Sequence, residues 1–158
     1  MRKIIYSLLR ALSNLKYRTK GFAIGENACI SVHCVRKTGG GKIILHKNAQ
    51  INSGCFFLTA EDITIGENSA IAYNVTILTS ANPNYPYNEL SKIYPPKHEP
   101  VKIGKNCWIG ANSVILPGIE IGDNVVVAAG SVVTRNIESN VMVAGNPARI
   151  KKYLANAN

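Results

Sequence analysis

Three histidines are the side chains of this sequence best suited to acid–base chemistry at neutral pH. They are His33, His46 and His98, and a free imidazole has a pKa of about 6.5, so it can remove a proton from a hydroxyl group. Their spacing matches no common metal-binding motif, and the four cysteines contain no CxxC pair. The residue types therefore favour a general base and give no reason to expect a metal site.

Of the three histidines, only His98 lies in a segment that interrupts the regular pattern of the chain. Residues 79–102 contain five prolines and three tyrosines, and a long aromatic loop on a rigid scaffold is more often functional than idle. His98 adjoins Glu99, whose carboxylate can orient an imidazole. Two interpretations of His98 stay open, a general base and a solvent-exposed loop residue. We expect structural roles for His33 and His46, which fall in slots of a repeat.

The elements that must position these side chains repeat with a period of six residues. Aliphatic or aromatic residues recur six apart, and four sets form complete triplets, so the larger period is 18. A hexapeptide period is typical of a parallel β-helix, in which each set of 18 residues forms one triangular coil of three short strands. The triplets are Leu45–Ile51–Phe57, Ile65–Ile71–Ile77, Ile103–Ile109–Ile115 and Ile121–Val127–Val133.

Two further slots of the repeat agree with this register. The third position after the aliphatic residue is usually Asn or Gly, which tolerate the left-handed backbone that suits a corner. The fourth position is small or β-branched and shares the interior with the aliphatic residue. Cys34, Cys55 and Cys107 occupy this fourth position. We expect these cysteines to be reduced, buried fillers.

The repeat predicts an all-β fold, a parallel β-helix of about five triangular coils. It divides the chain into an N-terminal helical cap over residues 1–20, a hexapeptide-repeat domain over residues 21–152, and a tail over residues 153–158. The loop of residues 79–102 leaves the coils at one corner. The apolar residues after Pro147 predict a short C-terminal helix.

Apolar residues at helical spacing predict an amphipathic helix over residues 2–16. Ile4, Leu8, Leu12 and Leu15 fall on one face, and residues 1–20 contain six Lys and Arg but no Asp or Glu. Two roles stay open for this helix. It either caps the open end of the coils, as a solenoid requires, or acts as a basic anchor on a membrane surface.

Composition excludes several classes of protein. The chain has 158 residues, of which 46% are hydrophobic and 17% charged, so it is not disordered, and no apolar run approaches the ~20 residues of a membrane span. The net charge of +9 suggests a polyanionic partner, but aromatic and basic residues do not alternate, which disfavours nucleic acid. Without a signal-peptide pattern, we expect a cytoplasmic protein, with weak contact to the inner face of the membrane as an alternative.

The segment 101–154 resembles the hexapeptide-repeat acyltransferases, especially the maltose, galactoside and xenobiotic acetyltransferases and the O-acetyltransferases of polysaccharide synthesis. The series WIG…ILPG…IG…GSVVT…AGNPA carries the resemblance, which covers about residues 21–152. It implies a left-handed β-helix and a homotrimer with active sites between neighbouring subunits. It also implies transfer of an acetyl group from acetyl-CoA to a hydroxyl or amine of a sugar or glycan precursor, with no metal.

The resemblance also implies which residues bind the two substrates. One group binds acetyl-CoA, with small residues near its pantetheine arm and polar or basic residues near its phosphates. The other group contacts the acceptor. The first group is Gly110, Ala111, Ala128, Ala129, Thr134, Arg135, Arg149 and Lys151, and the second is Asn74, Tyr85, Tyr87 and Trp108.

The sequence departs from the family at the catalytic base. Family members place a histidine in a string of the form V-T-x-x-T-x-x-H-P, and the matching string over residues 75–83 has Asn82 at that position. An asparagine amide orients a hydroxyl group but does not accept a proton near pH 7. An acetyltransferase is therefore expected to use His98 as a substitute base, or an amine acceptor that needs less base. The alternative is a catalytically impaired trimeric CoA-binding relative or scaffold. A trimeric zinc carbonic anhydrase is disfavoured by the histidine spacing.

Overall fold

The computed structural model describes residues 2–31, 36–82 and 89–155, which form a parallel β-helix with one long helix at its N-terminal end. The elements in chain order are α1 (Arg2–Arg18), β1 (Phe22–Ile24), β2 (Cys29–Ile30), β3 (Arg36–Thr38), β4 (Ile43–Leu45), β5 (Gln50–Ile51), β6 (Phe56–Leu58), β7 (Ile63–Ile65), β8 (Ala70–Ile71), β9 (Thr76–Leu78), β10 (Ser80–Ala81), α2 (Leu90–Ile93), β11 (Lys97–His98), β12 (Val101–Ile103), β13 (Trp108–Ile109), β14 (Val114–Ile115), β15 (Glu120–Ile121), β16 (Val126–Val127), β17 (Val132–Val133), β18 (Val141–Ala144) and β19 (Arg149–Tyr153).

Three parallel sheets form the faces of the prism. The first face has the order β1-β4-β7-β12-β15, and a bridge between Ile121 and Ile137 adds one more rung. The second face has the order β2-β5-β8-β13-β16-β18, and the third has β3-β6-β9-β14-β17. The stack therefore contains about six coils, one more than the five predicted. The architecture agrees with the left-handed β-helix that the resemblance implies.

The interior is built from the residues that the repeat predicts. Every member of the four triplets is buried. The small slot is buried as well at Cys55 and Cys107, which are free thiols, and burial raises the pKa of Cys55 to about 11. These two cysteines are thus interior fillers, as predicted. Cys34 and His33 lie outside the described residues, and His46 is an exposed residue between β4 and β5.

The corners use the left-handed backbone that the third slot predicts. We call the corner between the first and second faces the first corner, and the next two in chain order the second and third corners. Among the described residues, eight asparagines have positive φ, including Asn106, Asn124 and Asn140 at the first corner. There the Asn106 amide donates to Asn124 Oδ1 at 3.2 Å, and the Asn124 amide donates to Asn140 Oδ1 at 2.8 Å. Each of these asparagines thus bonds through its side chain to the asparagine of the neighbouring coil.

Helix α1 lies on the first coil, and three of its leucines, Leu8, Leu12 and Leu15, are exposed. Among the side chains of α1 that the structure describes, those of Ser13 and Tyr17 are buried. The Ser13 hydroxyl donates to the Ile30 carbonyl at 2.9 Å. The Asn14 amide donates to the Ala28 carbonyl at 2.9 Å. Polar groups of the helix therefore meet the carbonyls at the open end of the coil stack.

The predicted C-terminal helix is wrong, because residues Arg149–Tyr153 form strand β19. This strand pairs antiparallel with β18, with Ala144 opposite Arg149 and Val141 opposite Tyr153. The last strand of a sheet presents unpaired backbone groups at its edge. The chain turns back after β18, and β19 forms hydrogen bonds with the backbone groups of that edge. These bonds stabilise a strand more than the helical spacing of a few apolar residues stabilises a helix.

The loop predicted over residues 79–102 is present but shorter, because Val101 and Lys102 already belong to β12. Its described parts contain the short helix α2 and the strands β10 and β11, which pair antiparallel. The loop leaves the prism at the third corner, between the coils of β9 and β12.

The row of hydrogen-bonded asparagines at the first corner, Asn106, Asn124 and Asn140, is called the asparagine ladder. Two variants of Asn124 separate the contribution of its side-chain bonds to stability from that of its backbone conformation. We expect Asn124→Ala to unfold more readily than Asn124→Gly, because both lose the ladder bonds but only alanine places a Cβ in the left-handed region. The difference in the free energy of unfolding is expected to be about 1 kcal/mol, measured by urea denaturation. Equal stability of the two variants would show that the corner does not demand that backbone.

Candidate active site

The two strands where the loop leaves and rejoins the coils, β10 and β11, are called the neck of the loop. One buried residue, Thr79, holds them together. Thr79 donates through its hydroxyl to the Leu58 carbonyl at 3.0 Å, and the same oxygen accepts from the Glu61 backbone N–H at 2.9 Å. The Thr79 carbonyl accepts from the Glu99 backbone N–H at 2.9 Å. Thr79 therefore bonds both to the preceding coil and to the segment that returns from the loop, and these bonds hold the two strands of the neck together.

His98 lies in this neck, directly opposite Ser80. The antiparallel pairs are Ser80 with His98 and Ala81 with Lys97. Directly opposite side chains share a face, with Cβ atoms about 5 Å apart, and diagonal neighbours on that face are about 7–8 Å apart. Side chains alternate along an extended chain, so Asn82 falls on the face of Ser80 and His98. His98 and Asn82 are both exposed.

Glu99 does not orient His98, contrary to the expectation from their adjacency. Its carboxylate pairs with Lys97 Nζ at 2.8 Å, and a Cβ added at Gly118 would collide with Glu99 Oε2. Lys97 and Glu99 thus lie on the face of the neck opposite to His98, and the Glu99 carboxylate lies against Gly118 of the next coil. Gly118 has a φ of +77° and leaves the space that Glu99 fills.

The second corner carries half of the residues expected to bind CoA. Gly110, Ala111, Ala128 and Ala129 stack there on consecutive coils, and the Gly130 N–H donates to the Ala111 carbonyl at 2.8 Å. We call this column of small residues the second-corner ridge. Gly110 is also required by stacking, since an added Cβ would lie 2.5 Å from the Ala129 nitrogen.

The expected phosphate-binding residues fall into two places. Arg149 lies opposite Ala144 in the β18–β19 pair, which extends the second-corner ridge at its C-terminal end, and Lys151 follows on β19. Thr134 and Arg135 are exposed residues of the third corner, the same corner from which the loop emerges. The predicted CoA residues therefore do not form one surface within a single chain.

The expected acceptor residues are also divided. Asn74 is exposed at the second corner with a φ of +56°. Trp108 is 58% exposed on the second face, between Ala70 and Val126 of the neighbouring strands. Tyr85 and Tyr87 lie outside the described residues.

Two groups of candidate residues thus occupy different edges of the prism. Asn74 at the second corner and Ser80 in the neck are separated by the third face, where strand β9 covers Thr76–Leu78. The candidate base in the neck and the candidate CoA residues of the ridge therefore lie at different corners of the same chain.

Sequence reasoning missed Ser80 and Tyr73 as residues of this region. Ser80 faces His98 across the neck, and Tyr73 is 57% exposed beside Asn74. The exposure of Tyr73 follows from its place just before a corner residue, so the repeat contained that signal. The pairing of Ser80 with His98 had no signal, because 17 residues separate these two residues without a hairpin motif. Among the described residues, no group of three or more His, Cys, Asp or Glu gathers at this region or elsewhere.

Residues 100–135 match the family model described as hexapeptide repeat of succinyl-transferase. The whole fold resembles the maltose O-acetyltransferase from Clostridium difficile 630, which is 35% identical in sequence. The superposition has a TM-score of 0.70 and covers 87% of this chain and 72% of that chain. This chain belongs to the hexapeptide-repeat acetyltransferase family.

Two further members of the family define its range. The galactoside O-acetyltransferase of Escherichia coli K12 is 39% identical over 127 residues, which are 80% of this chain and 61% of that protein. This chain thus spans about three fifths of the length of that relative. A hexapeptide-repeat acetyltransferase from Vibrio cholerae O1 biovar eltor, solved with acetyl coenzyme A, is 27% identical. That superposition has a TM-score of 0.74 over 99% of this chain and 79% of that chain.

The clamp at the loop neck yields a stability test. Thr79→Val keeps the shape of the buried side chain but removes both of its hydrogen bonds and leaves the Glu61 N–H without this acceptor. We expect the free energy of unfolding to fall by about 1–3 kcal/mol, measured in urea. Thr64→Val, at a half-buried position on the first face, is the matched control and should change stability by much less. A Thr79→Val chain as stable as the control would contradict the clamp.

Proposed function

We propose that this chain is an acetyltransferase that transfers the acetyl group of acetyl-CoA to a hydroxyl group of a sugar or glycan precursor. The relatives named maltose and galactoside O-acetyltransferase support this acceptor class, and the acetyl-CoA complex of the Vibrio relative supports the donor. The observation that carries the proposal is the position of His98, which lies opposite Ser80 in the loop neck, and Ser80 is two residues from Asn82 in the chain.

His98 supplies the base that Asn82 cannot. Its imidazole removes the proton of the acceptor hydroxyl as that oxygen forms a bond to the carbonyl carbon of the acetyl thioester. The carbon–sulfur bond breaks, and the imidazolium returns the proton to the CoA thiolate. Asn82 holds the acceptor by hydrogen bonds, since its amide both donates and accepts without changing its charge.

The second-corner ridge fits the extended pantetheine arm. Ala111 and Ala129 leave the backbone of the ridge open to a ligand, and Asn74 and the exposed Tyr73 flank it. Arg149 lies at the C-terminal end of the ridge, where its guanidinium can bond two phosphate oxygens at once. Lys151 follows on the same strand. Acetyl-CoA supplies the activated acetyl group.

The separation of the ridge from the neck supports a shared site. We propose that the chain acts as a homotrimer in which the ridge of one subunit faces the loop neck of the next. His98, Thr134 and Arg135, all on the third corner, then approach CoA bound to the neighbouring ridge. Closed cyclic symmetry repeats this contact three times and gives three equivalent sites. Trp108, which is 58% exposed, is placed on the acceptor side of that contact.

A reducing compartment fits the thiols of the interior. Cys55 and Cys107 are free and buried in the second and fourth coils, and proteins with free structural thiols are typical of the cytoplasm. We therefore propose a cytoplasmic enzyme. Whether it meets a membrane depends on helix α1.

The decisive activity test compares two histidines. We expect His98→Ala to lower kcat for CoA release from acetyl-CoA by about 100-fold or more, assayed with galactosides, maltose and related sugars as acceptors. His46→Ala, an exposed histidine at the first corner, should leave kcat unchanged. Adding Asn82→His to the His98→Ala chain should restore activity, because it returns a base to the same face of the neck.

Two results would contradict this assignment. Full activity of His98→Ala would show that another group takes the proton, or that the acceptor is an amine already free of it. Binding of CoA without turnover of any acceptor, in both the wild-type and Asn82→His chains, would contradict the acceptor class but leave the ridge intact.

A further inference from the structure

Helix α1 carries an exposed apolar face. Leu8, Leu12 and Leu15 are 61%, 57% and 64% exposed, and their spacing places them one above another along the helix. We call these three residues the leucine face. Leucines that are more than half exposed lose much of the burial that would otherwise stabilise them, so this face is a candidate interaction surface.

The leucine face cannot turn toward its own coils, because the other side of the helix is fixed. The Tyr17 ring is 1% exposed and packs on Phe22 with ring centroids 5.2 Å apart, and Ser13 bonds to the first coil. At 3.6 residues per turn, the direction of Ser13 and Tyr17 is about 150° away from that of the leucine face. The leucines therefore point away from the β-helix.

The charge around the leucine face indicates what kind of partner binds there. Residues 1–20 contain six Lys and Arg and no acid, and the first acidic residue of the chain is Glu26. Lys16 and Arg18 are exposed and fall on either side of the leucine face. Two copies of this helix would bring like charges together, whereas an anionic lipid surface attracts them.

We propose that α1 lies flat on an anionic membrane surface, with Leu8, Leu12 and Leu15 among the acyl chains and the basic residues at the headgroups. Its 17 residues are about 26 Å long, and no described helix is long and apolar enough to cross a membrane. Helices with one apolar face and a basic polar face bind in this way. The surface is independent of the proposed acetyl transfer, and it places the N-terminal end of the coil stack against the lipid.

Vesicle flotation of the full chain tests the proposal. We expect the wild-type protein to float with vesicles of phosphatidylcholine and phosphatidylglycerol, and far less with phosphatidylcholine alone or at high salt. The triple variant Leu8→Gln/Leu12→Gln/Leu15→Gln should lower the partition coefficient by about tenfold or more. The control Ile93→Gln removes a residue that is 82% exposed in the loop and should float like wild type.

Parallel measurements on the same samples separate the alternatives. The triple variant should keep the wild-type unfolding midpoint, mass in solution and rate of CoA release, since its leucines touch neither coil nor site. Failure of the wild-type chain to float, or equal flotation of the triple variant, would overturn the proposal. A smaller mass of the triple variant in solution would also overturn it, because the face would then be buried between copies. Reduced flotation of the triple variant with an unchanged rate of CoA release would support the membrane surface independently of the proposed activity.

Discussion

Each strand of a coil is hydrogen-bonded to the strands directly above and below it, and the rest of the structure follows from this constraint. Ile71, for example, pairs with Ile51 on one side and Ile109 on the other, always at the same slot of the repeat. A side chain therefore belongs to a column, and columns of interior residues and corner asparagines extend through the stack. The loop of residues 79–100 leaves at a corner and therefore does not break the pairing of β7 with β12.

This constraint explains why most of the fold could be predicted. The triplets, the buried cysteines and the left-handed asparagines each follow from their slot, and the slot follows from the period. The coil count was too low because Ile137 and β18 continue the stack after the last complete triplet. The C-terminal helix failed for a related reason. Local spacing in residues 149–154 favoured a helix, but the exposed edge of β18 was a non-local partner that spacing does not reveal.

The candidate site could be predicted only in part, because the loop has no slot. Gly110, Ala111 and Ala129 take their positions from the stack, so their placement on one ridge is a consequence of the repeat. His98 takes its position from the pairing of β10 with β11, which depends on how the loop closes on Thr79. The sequence likewise predicted an apolar face on α1, but the polar residues Ser13 and Asn14 decide which side meets the coil. Carbonyls at an open coil end need donors, and leucines have none.

The central claim is that the base of one subunit serves the CoA ridge of its neighbour. Co-expression of His98→Ala with Ala129→Trp, which fills the exposed ridge, tests it most directly, because each variant alone lacks one half of every site. In a randomly mixed trimer about one quarter of the sites combine an intact neck with an intact neighbouring ridge. The account predicts that the mixed protein regains about that fraction of wild-type CoA release. Mixed trimers as inactive as the separate variants would contradict it, because both halves would then belong to the same chain.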